Sequence, residues 1–267
     1  MDDNKRISVI MGIYNCASTL VEALDSLYAQ TYQDFKIILC DDCSTDNTYQ
    51  VAQEYAAMHD NIILIKNDKN LRLAATLNHC LEYADTEYIA RMDGDDISLP
   101  TRFEKEIEFL DSHPEYALVS CPMVYFDESG EWGKGASKQE PQIIDFIKGS
   151  PFCHAPVMMR RSALNEIGNY TVKKTLRRGQ DYYLWHKFYL AGYKGYNLHE
   201  HLYKMRDDKN ATRRRTFRDR INATKVRLEV YKHLGIPLKY YPTAFKGLIV
   251  GILPNNIYKK LHQQRFK

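Results

Sequence analysis

Ile7-Ser8-Val9-Ile10-Met11-Gly12-Ile13 is an almost unbroken apolar run near the start of the chain. A strand wetted on one side alternates polar and apolar residues. A strand covered on both faces does not, so this run reads as a buried parallel strand. Tyr14-Asn15 leaves it, and Leu20, Leu24 and Leu27 come next at helical spacing, with Ser18 and Thr19 near the helix start. The unit then repeats. Residues 35–40 form a second strand that ends on Asp41-Asp42. Ser44-Thr45-Asp46-Asn47 has helix-start chemistry, and Val51, Tyr55 and Met58 supply the apolar face of the helix after it. Residues 62–65 are a third strand, residues 71–84 a third helix with Leu73, Leu77 and Leu81 on one face, and residues 88–92 a fourth strand. This order predicts an α/β fold: a Rossmann-like, mostly parallel sheet flanked by helices, with right-handed crossovers.

Ligands of such sheets collect at the carboxyl ends of the strands. The polar clusters stand there: Tyr14-Asn15, Asp41-Asp42, and Arg91-Met92-Asp93-Gly94-Asp95-Asp96. Close carboxylates resist ionising together. A hard divalent cation removes the conflict, because it takes oxygen ligands and shares them with substrate phosphates. An Asp-x-Asp at a strand tip is therefore a candidate metal–diphosphate site, against the alternative of a polar loop capped by Asp96 or Ser98.

The second half is less regular. Residues 100–112 read as a helix with Phe103, Ile107 and Leu110 inward, residues 116–126 as one long strand, and residues 128–131 as a turn. Residues 143–148 read as a short helix and residues 155–159 as a strand with a helix after it. Arg177-Arg178-Gly179-Gln180-Asp181 opens an aromatic helix that stops at Gly192. In it Trp185, Phe188 and Tyr189 read as core. Residues 213–234 are helical and basic, and Pro237, Pro242 and Pro254 interrupt the chain beyond them.

The 267 residues carry a net charge of only +3, unevenly placed. From Lys204 onward there are 17 Lys and Arg against 4 Asp and Glu, or +13, which leaves −10 for residues 1–203. That asymmetry points the C-terminal part toward phosphates, an anionic membrane surface or nucleic acid. Cys40 and Cys43 are spaced as C-x-x-C around Asp41-Asp42 but have no second pair, so the six cysteines read as free thiols of a cytoplasmic protein. The N-terminal residues lack a leader's apolar region, and no run reaches the ~20 apolar residues of a membrane span.

Four blocks in order resemble the family 2 glycosyltransferases: Ser8-Val9-Ile10-Met11-Gly12-Ile13-Tyr14-Asn15, Asp41-Asp42-Cys43-Ser44-Thr45-Asp46, Asp93-Gly94-Asp95-Asp96, and Arg178-Gly179-Gln180-Asp181-Tyr182-Tyr183-Leu184-Trp185. The resemblance implies a GT-A fold over residues 1–206, with a nucleotide-binding half (1–98) and an acceptor-binding half (99–206), and a basic helical extension over 207–267. It implies an inverting enzyme that uses a UDP-sugar donor and a divalent cation, Mn²⁺ or Mg²⁺. Residue by residue, Tyr14 lies beside the base and Asp42 accepts from a uracil ring N–H. Asp93 and Asp95 hold ribose and cation, with Asp95 the more direct metal contact, and Asp181 is the catalytic base. Two departures stand out. Gly12 replaces the family's usual Pro, which is expected to loosen the strand end, and Gln180 replaces a frequent Glu. Arg72 stands where Gly is common, as a candidate diphosphate contact.

Asp42, Asp95 and Asp181 are expected around one cavity. His154 is a candidate on the acceptor side, Arg206 and Arg213-Arg214-Arg215 are candidates for a diphosphate or lipid head groups, and His199 and His201 are weaker metal candidates. The alternative reading of Asp181 is the N-cap of its helix, and one residue can serve as both. The tail mixes Phe245, Leu248, Ile249, Val250, Ile252 and Leu253 with Lys239, Lys246, Lys259 and Lys260. It suits either a peripheral contact with an anionic inner membrane face or packing on the catalytic domain. The acceptor expected is a glycan or lipid-linked oligosaccharide in bacterial surface polysaccharide synthesis. The competing readings are a sugar-phosphate nucleotidyltransferase, a non-catalytic nucleotide- or glycan-binding subunit, and a nucleic-acid binder. The first lacks a Gly-rich phosphate loop after the first strand, and the last lacks interleaved aromatics and a groove-reading motif.

Overall fold

The computed structural model describes residues 5–207 and 216–252. Ile7, Val9, Met11 and Ile13 turn to one face of a central sheet and Ile10 to the other, so the opening strand β1 (Ile7–Ile13) is buried on both sides. Around it the chain runs α1 (Leu20–Tyr28), β2 (Phe35–Asp41), α2 (Thr48–Ala56), β3 (Ile62–Lys66), α3 (Leu73–Leu81) and β4 (Tyr88–Arg91). Next come β5 (Ile97–Ser98), α4 (Arg102–Ser112), β6 (Tyr116–Ser120), β7 (Met123–Asp127), β8 (Gly130–Lys134), β9 (Met158–Arg160), α5 (Arg161–Glu166), α6 (Gln180–Leu190), β10 (Lys194–Asn197) and β11 (Tyr203–Arg206). The last elements are α7 (Phe217–His233), a 3-10 segment (Leu238–Phe245) and α8 (Lys246–Ile252).

The main sheet has the order β10-β6-β9-β4-β1-β2-β3. Pairs β4–β1, β1–β2 and β2–β3 are parallel, so their carboxyl ends share one edge. β9 is antiparallel to both of its neighbours. One face is covered by α1, α2 and α4. The other is covered by α3, α5, α6 and α7, whose Leu77, Leu164, Trp185 and Val230 pack with Ile10 and Ile38. Each such fully buried large side chain contributes about 1.5–3 kcal/mol. α7 thus shares the core on one face of the main sheet while still exposing Phe217 and Ile221.

Several expectations need correction. The strand foreseen over residues 116–126 is two strands: β6 lies in the main sheet and β7 in a second sheet of order β5-β11-β7-β8. Cys121-Pro122 separates them, and proline has no N–H to continue a ladder. Met58 lies beyond the end of α2 and is 69% exposed rather than part of its apolar face. Gly12 does not loosen β1, which stays in register with β2 through Ile13↔Asp41. A Cβ at Gly12 would lie 3.1 Å from Thr76 Cγ2 and 3.3 Å from Leu73 Cδ1, so the glycine lets α3 approach the strand closely. The expectations for Arg213, Arg214, Arg215, Leu253, Pro254, Lys259 and Lys260 concern positions outside the described residues.

Candidate active site

The loops after β1 and β2 are stitched together by side chain–backbone bonds. Asn15, at φ 50°, accepts through Oδ1 from the Thr45 N–H at 2.9 Å, and its own N–H donates to Ser44 Oγ at 3.1 Å. The Cys16 N–H donates to Thr48 Oγ1 at 2.8 Å. These bonds fix the loop and leave the Tyr14 ring 46% exposed at the sheet edge. Tyr14 lines a cavity of about 360 Å³ together with Gly12, Asp42, Arg72, Arg178 and Gln180.

Asp42 is buried, and its carboxylate is already well used. Oδ1 accepts from Asn67 Nδ2 at 2.8 Å and the Leu71 N–H at 2.7 Å, and Oδ2 accepts from the Arg72 N–H at 2.9 Å. A carboxylate has about four acceptor positions, so one on Oδ2 stays open among the described residues. Sequence reasoning missed Asn67, although it ends the third apolar strand as Asp42 and Asp93 end theirs. It joins Asp42 to Thr76 (3.1 Å) and His79 (2.7 Å). By pinning residues 71–72, Asp42 holds Arg72 at φ 76°, ψ 160°. That conformation is close to glycine-only and costs a side-chain-bearing residue of order 1–3 kcal/mol.

After β4, Asp93, Asp95 and Asp96 each offer an oxygen, all within 4.8 Å of one another. Gly94 makes the turn fit, since a Cβ there would lie 2.8 Å from Cys16 Sγ. The three carboxylates differ. Asp96 is buried and accepts the Arg206 N–H at 2.8 Å; burial and the charges of Asp93 and Asp95 hold it well above the usual carboxylate range. Asp93 pairs with the buried Arg91 guanidinium. Asp95 is open to solvent on one side yet crowded by protein on the other. That crowding, with the charge of Asp93, pushes it up to about 6. Three hard oxygen donors whose mutual repulsion the chain leaves unresolved fit a divalent cation.

The cluster rests on a buried pair that the helical pattern did not reveal. Arg102 and Glu106 are both fully buried, joined at 3.1 Å, and Arg102 donates to the Arg91 carbonyl at 3.0 Å. Burial pushes Glu106 up to about 7. Arg206 is bound into the same loop: its Nε donates to the Asp95 carbonyl at 3.0 Å, and its guanidinium pairs with Glu22 and lies 4.5 Å above the Phe126 ring.

Asp181 is not the N-cap of α6. Gly179 holds that place at φ 113°, and Gln180 turns back to accept the Gly179 N–H at 3.1 Å. No hydrogen bond or ion pair occupies the Asp181 carboxylate among the described residues. Against expectation, neither Asp95 nor Asp181 lines the Asp42 cavity; Asp95 stays with the carboxylates after β4. Asp181 lines an adjoining cavity with Ser150, Arg220 and Arg227, and Arg178 belongs to both cavities. The buried Tyr170 hydroxyl is near enough to feel the charge of both Asp181 and Asp93. It is held above its ordinary value first by burial, with Asp181 and Asp93 adding and Arg91 opposing. Tyr170 is 2.8 Å from His154 Nε2. Burial, with the Arg91 charge, holds His154 well below its usual value, so it is neutral. His201 contacts the Gly135 carbonyl at 2.9 Å and His199 contacts Gln139; neither joins the acidic cluster. Trp185 is fully buried against Phe152, as expected.

Residues 8–168 match the family model described as "Glycosyl transferase family 2". The chain is 43% identical over 266 residues to the putative glycosyltransferase EpsE of Bacillus subtilis, covering 99% of this chain and 96% of that one. It is 28% identical to the UDP-Gal:alpha-D-GlcNAc-diphosphoundecaprenol beta-1,3-galactosyltransferase of Escherichia coli, covering 97% and 98%. Its fold superposes with a TM-score of 0.65 on the mannosyltransferase PcManGT of Pyrobaculum calidifontis, solved with GDP-Man and Mn²⁺. That match has 18% identity and covers 98% of this chain and 80% of that one.

Proposed function

The chain belongs to glycosyl transferase family 2, and on that premise we propose that it moves a sugar from a UDP-sugar to a hydroxyl of a lipid-linked glycan, with inversion, in bacterial surface polysaccharide synthesis. The observation that carries this reading is the cluster of Asp93, Asp95 and Asp96 oxygens, all within 4.8 Å of one another after β4, on the sheet edge where β1 and β2 also present Tyr14 and Asp42. The relative that uses UDP-Gal and a diphosphoundecaprenol acceptor supports the donor and acceptor classes.

In this reading Tyr14 covers the face of the base, and the open position on Asp42 Oδ2 accepts the uracil ring N–H. Asp95, with Asp93, holds a Mn²⁺ or Mg²⁺ ion. When bound, such an ion offsets the negative charge that builds on a departing diphosphate. Arg91 keeps Asp93 oriented, and Asp96 anchors the loop through the Arg206 N–H. Asp181 takes the proton of the acceptor hydroxyl. The new bond forms from that oxygen to the anomeric carbon, while the bond to the diphosphate oxygen breaks and its electron pair leaves with UDP. Attack from the face opposite the leaving group inverts the centre. Neutral His154, fixed by Tyr170, lines the acceptor side without competing for the proton. Arg72 and Arg206 are assigned to the diphosphate side.

Residues 1–206 are assigned the chemistry and residues 207–267 a supporting, peripheral role. Leu238, Phe245 and Ile249 are exposed beside Lys239 and Lys246, a pairing that suits the surface of an anionic membrane. No helix among the described residues is long and apolar enough to cross a membrane. The six cysteines are free, which suits a cytoplasmic, reducing site at the inner membrane face.

The test is a donor panel (UDP-glucose, UDP-galactose and their N-acetyl forms) read by UDP release with and without Mn²⁺. Asp181→Asn should bind donor as the native chain does and lose transfer by at least ~100-fold. Normal turnover in that variant would remove the base assignment.

A further inference from the structure

Beside the donor cavity lies a second one, of about 430 Å³, formed by the start of α3, residues 171–177 and the first turns of α7. It shares Arg72, Leu73, Arg177 and Gln180 with the cavity that holds Tyr14 and Asp42, so the two are contiguous. Its character is different. Lys173, Lys174, Arg177 and Arg218 line it along with Arg72. Lys173 is taken up by Glu229 at 3.6 Å, but no ion pair neutralises Arg72, Lys174, Arg177 or Arg218 among the described residues. The one carboxylate in the lining, Asp219, is engaged elsewhere. It caps α7 through Thr216, accepting its N–H at 3.0 Å, and sits 3.8 Å from Arg178. Unpaired cations around a cavity recognise a multiply charged anion, and phosphate oxygens suit them best.

The same wall is also apolar. Leu71 and Val172 are exposed at its edge. On α7 the exposed Phe217 and Ile221 stand one turn apart, outside the lining but next in sequence to its Arg218 and Asn222. A cationic cavity with exposed Leu71 and Val172 in its lining and exposed Phe217 and Ile221 near it fits a phosphate joined to a hydrocarbon chain. Gln180, the residue before Asp181, belongs to its lining, which puts the cavity next to the helix turn that carries the base.

We propose that this cavity binds the diphosphate of the acceptor, a sugar carried on a polyprenyl diphosphate, with Lys174, Arg177 and Arg218 as the phosphate ligands and Phe217 and Ile221 as the first contacts of the lipid. The inference rests on the transfer reading above. Lys174 and Arg218 line only this cavity, not the donor cavity, and that separates the two claims.

The experiment uses the full chain with saturating donor and Mn²⁺ and two acceptors of the same N-acetylglucosamine: one on an alkyl diphosphate, the other on a neutral alkyl glycoside. Lys174→Gln and Arg218→Gln should each raise KM for the diphosphate acceptor ~10-fold, the worth of one charge-assisted contact. The donor KM, acceptor-independent UDP release and KM for the neutral glycoside should not change. Equal KM values for the two acceptors, or variants that leave the diphosphate KM unmoved, overturn the proposal. Vesicles of phosphatidylglycerol form a separate arm. If the variants lose vesicle binding but keep the acceptor KM, the cations serve lipid head groups and the proposal fails. Should the chain turn over no UDP-sugar at all, the transfer reading fails by itself. Calorimetric binding of farnesyl diphosphate then decides the site, with loss in both variants supporting it and absence of binding to the native chain overturning it.

Discussion

Replacing Arg72 with glycine separates the cost of its backbone from the use of its side chain. At φ 76°, ψ 160° the residue sits where only glycine is comfortable, held by its own N–H to Asp42 and by its carbonyl, which accepts from Thr76 Oγ1 at 3.0 Å. Both bonds survive the substitution. Relief of strain is worth about 1–3 kcal/mol, and the freer unfolded chain of glycine takes back about 0.5–1 kcal/mol. Arg72→Gly should therefore be more stable by roughly 0.5–2 kcal/mol, which at about 2–4 °C per kcal/mol raises Tm by a few degrees. The guanidinium is lost from the donor cavity, so KM for UDP-sugar should rise ~10-fold, equivalent to about 1.4 kcal/mol. Arg72→Ala is the control: it keeps a Cβ and the strain, loses the guanidinium, and should match the native Tm while sharing the raised KM. Differential scanning calorimetry and donor kinetics read the two effects. An Arg72→Gly protein less stable than Arg72→Ala refutes the strain argument, and an unchanged donor KM in both variants removes Arg72 from the diphosphate.

Asp95→Ala removes the most open carboxylate of the cluster. It should weaken Mn²⁺-dependent donor binding ~100-fold or more by calorimetry; equal binding with and without Mn²⁺ in the native chain would end the metal assignment. Glu106→Gln mimics the protonated carboxyl, so in urea unfolding it should match the native chain near pH 4.5 and be the more stable of the two above about pH 7. The native carboxyl is held near 7, above its unfolded value, so the folded chain binds the extra proton between about pH 4.5 and 7. Stability contributed by that group is present below the window and falls as pH rises through it, by up to ~3 kcal/mol, and this slope should vanish in Glu106→Gln. Gly94→Ala puts a Cβ 2.8 Å from Cys16 Sγ and should cost about 1–3 kcal/mol. Adding Cys16→Ala should recover part of that loss, and a thermal shift on the single and double variants measures the coupling.

The first half of this protein is written in its local pattern. Runs such as residues 7–13 and 35–40 must be covered on both faces, and parallel strands with helical crossovers do that. The strand tips then carry Tyr14, Asp42 and Asp93–Asp95 to one edge, and four ordered blocks are enough to carry the family resemblance. Other features depend on partners far apart in the chain. Asn67 reads as a loop residue until the fold brings it to Asp42 and His79. Arg102 and Glu106 lie outside the predicted apolar face of α4 and are buried only where that helix closes over the end of β4. β5, β8, β10 and β11 are two to five residues long, too short for a period to register, and the break at Pro122 matters only because two sheets exist to be joined. The division of Asp42 and Asp181 between adjoining cavities that share Arg178 arises from where α6 docks. Local pattern encodes which face of an element is buried; it does not encode which other element covers that face.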